Sequence, residues 1–150
     1  MDISKTIIGA GCFWGVQEFF RKIDGVKETT VGYSGGHSLN PSYEDVCRGN
    51  TGHIEVVLIK FDINFIKFSD ILNYFWKCHD PTQLNRQGYD IGEQYKSIIF
   101  YFNEDQKNIA EESKINMQSK FNNSIVTEIK EASQFYKAEE YHQNYLCKKT

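Results

Sequence analysis

"VKETTVGYSGGHSLNPSYEDVCRGNTGHIEVVLIKF", residues 26–61, decides the fold. Its two ends, Val26 to Tyr33 and Ile54 to Phe61, are rich in Val, Ile and Thr, which suit a pleated, half-buried surface. Between them run the loop "SGGHSLNPS" and the turn "GNTGH", without an obvious crossover helix. Parallel neighbours need a crossover of a dozen or more residues, usually helical. Two consecutive strands without one therefore argue against a doubly wound parallel sheet.

Working outward, Lys5 to Ala10 reads as a short strand. Val16, Phe19, Phe20 and Ile23 then recur at helical spacing, and Asp24-Gly25 stops that helix. Ser69 is the expected cap of a helix through Ile71, Leu72, Phe75 and Trp76. Residues 79–97 show little periodicity, and a long irregular stretch in a compact domain usually serves function. Ser97 to Phe102 reads as a strand, and Asn103 with Gln106 resembles a capping box for a helix to about Phe121. A strand near Ile125 to Ile129 and a final helix through "AEEYHQNYLCK" complete the order βαββαβαβα. With no Pro- or Ser-rich linker and no repeat, the expectation is one domain over residues 1–150. Its class is α+β, a mixed β-sheet packed by helices in a ferredoxin-like two-layer core.

The composition, 40% hydrophobic and 25% charged, is that of a globular chain able to bury a sizeable core. A formal charge of −3 without clustered Lys and Arg excludes steering toward nucleic acid. No apolar run approaches the ~20 residues that cross a bilayer, and "MDISKTIIGAG" lacks the features of a signal peptide. A cytoplasmic location is expected. Cys12, Cys47, Cys78 and Cys147 are widely scattered, so they read as thiols in a reducing compartment.

Cys12 stands at a strand-to-helix junction, where unpaired N–H groups favour a reactive thiolate. Gly9, Gly11 and Gly15 would let backbone approach a ligand, or else serve packing, with Cys12 as core filler. Glu55 interrupts an apolar strand and shares a face with Val57 and Ile59, unless it reaches solvent at the strand end. A carboxylic acid in an apolar pocket keeps its proton near neutral pH and can donate it. The loop "NRQGYDIGEQYKS" gathers Arg86, Asp90, Gln94 and Tyr95, and Tyr43 lies in "NPSYEDVC". Cys78, His79, Asp80, His142 and Cys147 are metal-ligand types without ligand spacing, so no metal is expected.

"GCFWG" (11–15), "VGYSGG" (31–36), "GNTGHIEVV" (49–57), "FWKCHDPTQLNRQGYDIGEQYKSII" (75–99) and "AEEYHQNYL" (138–146) together resemble the A-type peptide methionine sulfoxide reductases. The resemblance covers residues 5 to 147. It implies a mixed-sheet α+β fold and reduction of methionine S-sulfoxide, free or in proteins, to methionine. It assigns Cys12 as nucleophile on the sulfoxide sulfur and Glu55 as the acid that protonates the oxygen. Tyr43 and Tyr95 are implied hydroxyl donors, Asp90 a polar residue of the pocket, and Phe13 and Trp14 the walls around the methyl group.

The resemblance also implies a sulfenic acid on Cys12 that further thiols must reduce. Many relatives carry resolving cysteines in a glycine-rich C-terminal tail, and no such segment lies within these 150 residues. The expectation is therefore no bound cofactor, with an external reductant: thioredoxin, glutaredoxin or glutathione. Cys147 is the candidate internal resolver. Two rivals stand beside this reading: a non-catalytic methionine-binding module, and a cysteine acyl-transfer enzyme using Cys12 with His53 or His142.

Overall fold

The structure, a computed structural model, describes residues 2–149. Among these residues the main sheet has six strands: β1 (Ile3–Ala10), β2 (Val26–Ser34), β3 (Ile54–Asp62), a strand at Ser97–Tyr101, and two outer strands at Glu128–Glu131 and Phe135–Lys137. A two-stranded hairpin, β4 (Arg86–Gln87) and β5 (Asp90–Ile91), precedes the strand at Ser97–Tyr101, which becomes β6; the outer strands are β7 and β8. The helices are α1 (Phe13–Arg21), α2 (Tyr43–Cys47), α3 (Phe68–Lys77), α4 (Glu104–Met117) and α5 (Tyr145–Lys149).

The sheet order is β7-β6-β1-β3-β2-β8. Its central four strands, β6-β1-β3-β2, are all antiparallel, with α1 linking β1 to β2 and α3 lying between β3 and β6. That is the split β-α-β arrangement of a ferredoxin-like core. β7 joins parallel to β6 after α4, and β8 joins antiparallel to β2, so the sheet is mixed. β2 and β3 pair directly, as the absence of a crossover between them required.

Strand alternation divides the core. Ile8, Val31, Val57, Ile59 and Ile99 face the helical layer and pack with Phe20, Leu72, Phe75 and Ala110. Ile7, Ile54, Val56, Ile98 and Phe100 form a smaller cluster on the opposite face. Glu55 falls on the helical side with Val57 and Ile59, where β3 is fully buried.

Several local expectations are corrected. Helix α3 begins at Phe68, not beyond Ser69, because the Asp70 carboxylate accepts the Lys67 N–H at 3.1 Å. Helix α2 is a turn and a half, too short to show periodicity; it is set by Ser42 and Asp45, each accepting the other's backbone N–H. β7 runs from Glu128 rather than Ile125, since the N–H groups of Ile125 and Val126 bond to Gln118 and the Pro81 carbonyl.

The expected C-terminal helix is broken. Residues 140–142 form a 3₁₀ turn, Gln143 is extended, and Asn144 takes a φ of 54° before α5. Extending Gln143 lets its side chain accept the Val31 N–H and donate to the Val31 and Ala138 carbonyls, completing the edge of β2. Asn144 N–H then bonds Gln17 of α1 at 2.8 Å. No helix among the described residues is long and apolar enough to cross a membrane.

β8 reaches β2 closely only because residue 32 is glycine. A Cβ there would overlap the Phe135 ring and lie 2.5 Å from the Tyr136 carbonyl. Gly32→Ala is expected to lower stability by roughly 1–3 kcal/mol, as overpacking against backbone does, measured by urea unfolding. An unchanged unfolding midpoint would refute the close-approach argument.

Candidate active site

Cys12 is the N-cap of α1, and its carbonyl accepts the first helical bond from Val16 at 3.4 Å. The chain turns into this position at Gly11, whose φ of 100° suits glycine and whose missing Cβ makes room for Gln87. Gly9 is packed against Ile98 and Ile54, whereas Gly15 has open space. Gly9 and Gly11 thus serve packing, and only Gly15 leaves backbone accessible.

The helix terminus does lower the thiol, through the N–H groups of Trp14 and Gly15, but burial and the neighbouring Glu55 outweigh it. The Cys12 thiol is pushed up to about 11. The activated thiolate expected from the sequence is therefore absent in the substrate-free site, where Cys12 is a protonated thiol.

Glu55 is 1% exposed. Its Oε1 accepts the Phe13 N–H at 3.2 Å, and its Oε2 has no hydrogen-bond partner among the described residues. Burial raises this carboxyl from 4.5 to about 7; the Phe13 N–H and the Gln94 side chain pull it down, while Asp90 adds to the rise. Near neutral pH the site thus holds an acid that is about half protonated, beside a thiol that is fully so.

The remaining predicted residues arrive from separate elements. Tyr43 opens α2, Asp90 lies on β5, and Tyr95 closes a 3₁₀ turn at 93–95. Burial first raises both hydroxyls; at Tyr43 the hydrogen bond to Cys47 and the Cys47 charge come next, ahead of Glu55, and at Tyr95 the charges of Glu55 and Asp90 follow. Both hydroxyls therefore remain protonated donors. Tyr95 senses Glu55, Asp90 and Cys12, Cys12 senses Asp90, and Tyr43 senses Glu55 and Tyr95, so the five predicted catalytic side chains lie around one locus.

Phe13 is buried, its ring 5.7 Å from Tyr33 and 5.2 Å from His142. Trp14 is partly exposed, stacked on Tyr145 at 3.9 Å, and its indole N–H donates to His142 Nδ1 at 2.9 Å. An indole only donates, so His142 Nδ1 is unprotonated and the imidazole is neutral with its hydrogen on Nε2. Burial also lowers the affinity of His142 for a proton.

Sequence reasoning gave no role to Glu139. Its Oε1 accepts the Tyr33 hydroxyl and its Oε2 the Tyr43 N–H, both at 2.9 Å. Tyr33 stands directly opposite Glu55 across the β2–β3 ladder, so Glu139 ties Tyr43 to the strand pair that carries the acid. Glu139 and His142 lie in the block "AEEYHQNYL", the one signal in the sequence that could have found them.

The other cysteines differ in setting. Cys47 is exposed and receives the Gln94 amide at 3.6 Å; Cys78 is half-buried, its thiol donated to the Phe75 carbonyl and pushed up to about 12 by burial. His79 is held by the Phe75 carbonyl and the Ser97 hydroxyl, and burial lowers it to about 4. His53 bonds Gly36 and Ser38 through its two ring nitrogens, which fastens the loop after β2. With the ring nitrogens so engaged, His53 is not placed to serve Cys12 as a base, as acyl transfer would demand. Cavities of about 800 and 810 Å³ lie between α3 and α4 and beside β7, and neither is lined by a thiol.

Comparison with known proteins extends the match beyond geometry. The sequence model of the family described as peptide methionine sulfoxide reductase matches residues 4–150. The peptide methionine sulfoxide reductase MsrA of Methanothermobacter thermautotrophicus is 56% identical over 146 residues, spanning 96% of this chain and 86% of that one. Mxr1 from Saccharomyces cerevisiae in its reduced form superposes with a TM-score of 0.94 at 34% identity, covering 97% of this chain and 85% of that one. Mxr1 in complex with Trx2 superposes with a TM-score of 0.69 at 26% identity, covering 95% and 84%. The chain belongs to the peptide methionine sulfoxide reductase family.

Proposed function

We propose that this chain, as a single catalytic domain, reduces methionine S-sulfoxide to methionine, with Cys12 as nucleophile and Glu55 as acid. One observation carries the assignment of roles: a carboxyl raised to about 7 by burial, anchored to the N–H of the residue after a helix-capping cysteine. A sulfoxide sulfur is a poor electrophile until its oxygen is protonated or hydrogen-bonded. Glu55 supplies the proton, and the Tyr43 and Tyr95 hydroxyls supply hydrogen bonds where negative charge develops.

The step balances internally. The Cys12 sulfur attacks the substrate sulfur, Glu55 gives its proton to the sulfoxide oxygen, and the thiol proton returns to Glu55. Oxygen passes to Cys12, leaving a sulfenic acid and free methionine; the substrate is reduced by two electrons and Cys12 oxidised by two. Phe13 and Trp14 wall the methyl group, and Asp90 completes the polar side. The Cys12 charge rises to its reactive form only as the Glu55 charge is neutralised, because each disfavours the other.

Two thiols then return the sulfenic acid to Cys12–SH, giving a disulfide and water. Support for an external dithiol comes from the structure of Mxr1 with Trx2, so thioredoxin is the favoured reductant over glutaredoxin or glutathione. Cys147 remains the alternative internal resolver; a disulfide to Cys12 needs Cα atoms within roughly 7 Å, which the peptide mapping below tests directly.

Glu55→Gln separates the roles by three measurements. Sulfoxide turnover with dithiothreitol should fall at least about 100-fold, the usual value of a positioned acid. Alkylation of Cys12 by iodoacetamide at pH 8 should accelerate, because the charge that raises its pKa is gone. Stability should rise at pH 8 and not at pH 4: the wild-type carboxyl keeps its proton up to about 7 when folded but only to 4.5 when unfolded, so stability declines between those values by about 3 kcal/mol. Undiminished turnover would refute Glu55 as the acid.

For recycling, a single turnover without reductant followed by non-reducing peptide mapping should find Cys12 as sulfenic acid. A Cys12–Cys147 disulfide would overturn the external-thiol reading.

A further inference from the structure

The imidazole of His142 lies against both proposed walls of the methyl pocket and against a proposed donor to the sulfoxide oxygen. Its centroid is 5.2 Å from the Phe13 ring, 5.6 Å from Trp14 and 4.5 Å from Tyr43. The residue is 1% exposed. Its backbone is fixed on both sides: its own N–H bonds the Glu139 carbonyl at 3.0 Å, and Gln143, next in the chain, is bonded to Val31. Glu139 in turn holds the Tyr43 N–H at 2.9 Å. One short segment, 139–143, therefore holds Trp14 by its indole and Tyr43 by its backbone.

Trp14 has two restraints of different kinds. It stacks on Tyr145 with the ring planes 13° apart, and its indole N–H donates to His142 Nδ1 at 2.9 Å. A stack sets the plane of the indole, whereas a hydrogen bond, which weakens steeply off-line, fixes the direction of its edge. That bond has a cost that packing alone would avoid. It commits the imidazole to carry its hydrogen on Nε2, and Nε2 is buried with no partner among the described residues. A buried donor without an acceptor forfeits its hydration. An all-carbon ring would fill the space without that loss, so filling space does not account for an imidazole here.

Resting on the function proposed above, we infer that His142 is a positioning residue that sets the choice between sulfoxide epimers, by locking the indole wall relative to Tyr43. With the attacking thiol and the carbon chain held in place, the two epimers at sulfur differ by exchanging methyl and oxygen. Choosing between them takes two loci in fixed relation: an apolar wall for the methyl group and donors for the oxygen. Specificity is a difference of affinities, and it falls when the wall can turn aside to admit the exchanged pair. His142 acts through other groups, holding the edge of Trp14 by a hydrogen bond while its ring abuts Phe13 and Tyr43.

The test uses the whole chain with dithiothreitol and the separated S and R sulfoxides of N-acetylmethionine, with enzyme in excess for the slower epimer. His142→Phe keeps a flat ring and removes the acceptor. It should lower the S-to-R ratio of kcat/KM by about 5- to 10-fold, the weight of one hydrogen bond, with the loss on the S epimer falling in KM. Circular dichroism and thermal unfolding check the fold, and His142→Leu carries the same expectation should the larger ring not be accommodated. His142→Asn, which restores an acceptor without the ring, should keep more of the ratio than His142→Phe. Added to Trp14→Phe, which lacks the donor, His142→Phe should cost less than about a further twofold, since both changes break one bond. An unchanged ratio in the folded variant overturns the inference, as do a lower ratio in His142→Asn than in His142→Phe and additive losses in the double variant. A wild type that reduces neither epimer, or both alike, overturns the proposed function instead, and that result is read from the wild-type control alone.

Discussion

The burial of one carboxylic acid on the helical side of the sheet governs everything around it. Glu55 sits where alternation demands an apolar residue, between Ile54 and Val56 on one face and beside Val57 on its own. With only the Phe13 N–H and the Gln94 side chain to favour it and an unpartnered second oxygen, its charge is weakly held. It meets that condition by keeping its proton to higher pH. The same burial, with the Glu55 charge beside it, keeps the adjacent thiol protonated, so the two groups share one condition.

The scaffold serves this placement from both sides. β2 brings Tyr33 opposite Glu55, and α1 brings Cys12 and the Phe13 N–H onto it from above. The C-terminal segment then closes the arrangement, with Gln143 on Val31, Glu139 across Tyr33 and Tyr43, and His142 on Trp14. None of these three side chains is assigned a reacting atom; Glu139 fixes Tyr43 and His142 fixes Trp14, both proposed site residues, while Gln143 secures the edge of β2.

Much of this was legible in the residues. The paired strands at 26–33 and 54–61, the face on which Glu55 lies and the N-terminal position of Cys12 all follow from local pattern, because alternation and capping are short-range rules. What local pattern could not show was the outcome of competing long-range effects. Helix polarity at Cys12 predicted a lowered thiol, and only the three-dimensional proximity of Glu55 and the extent of burial reversed the sign. The final helix failed for a similar reason: helical periodicity in 138–148 was real but weak, and satisfying Val31 across the chain outweighed continuing the helix. Short elements such as α2 and β8 carry too few residues for any period to register.

The ties of the C-terminal segment span long stretches of chain. Trp14 and His142 are 128 residues apart, and Val31 and Gln143 are 112 apart. Loop closure costs grow only with the logarithm of length, so these ties cost roughly 1–2 kcal/mol more than the pairing of β2 with β3 and little more than the pairings of β1 with β6 and β2 with β8. The ties that hold the C-terminal segment thus rest on chain closures of the same order as those that pair β1 with β6 and β2 with β8, so the segment belongs to the fold's long-range framework and is not an appendage to it.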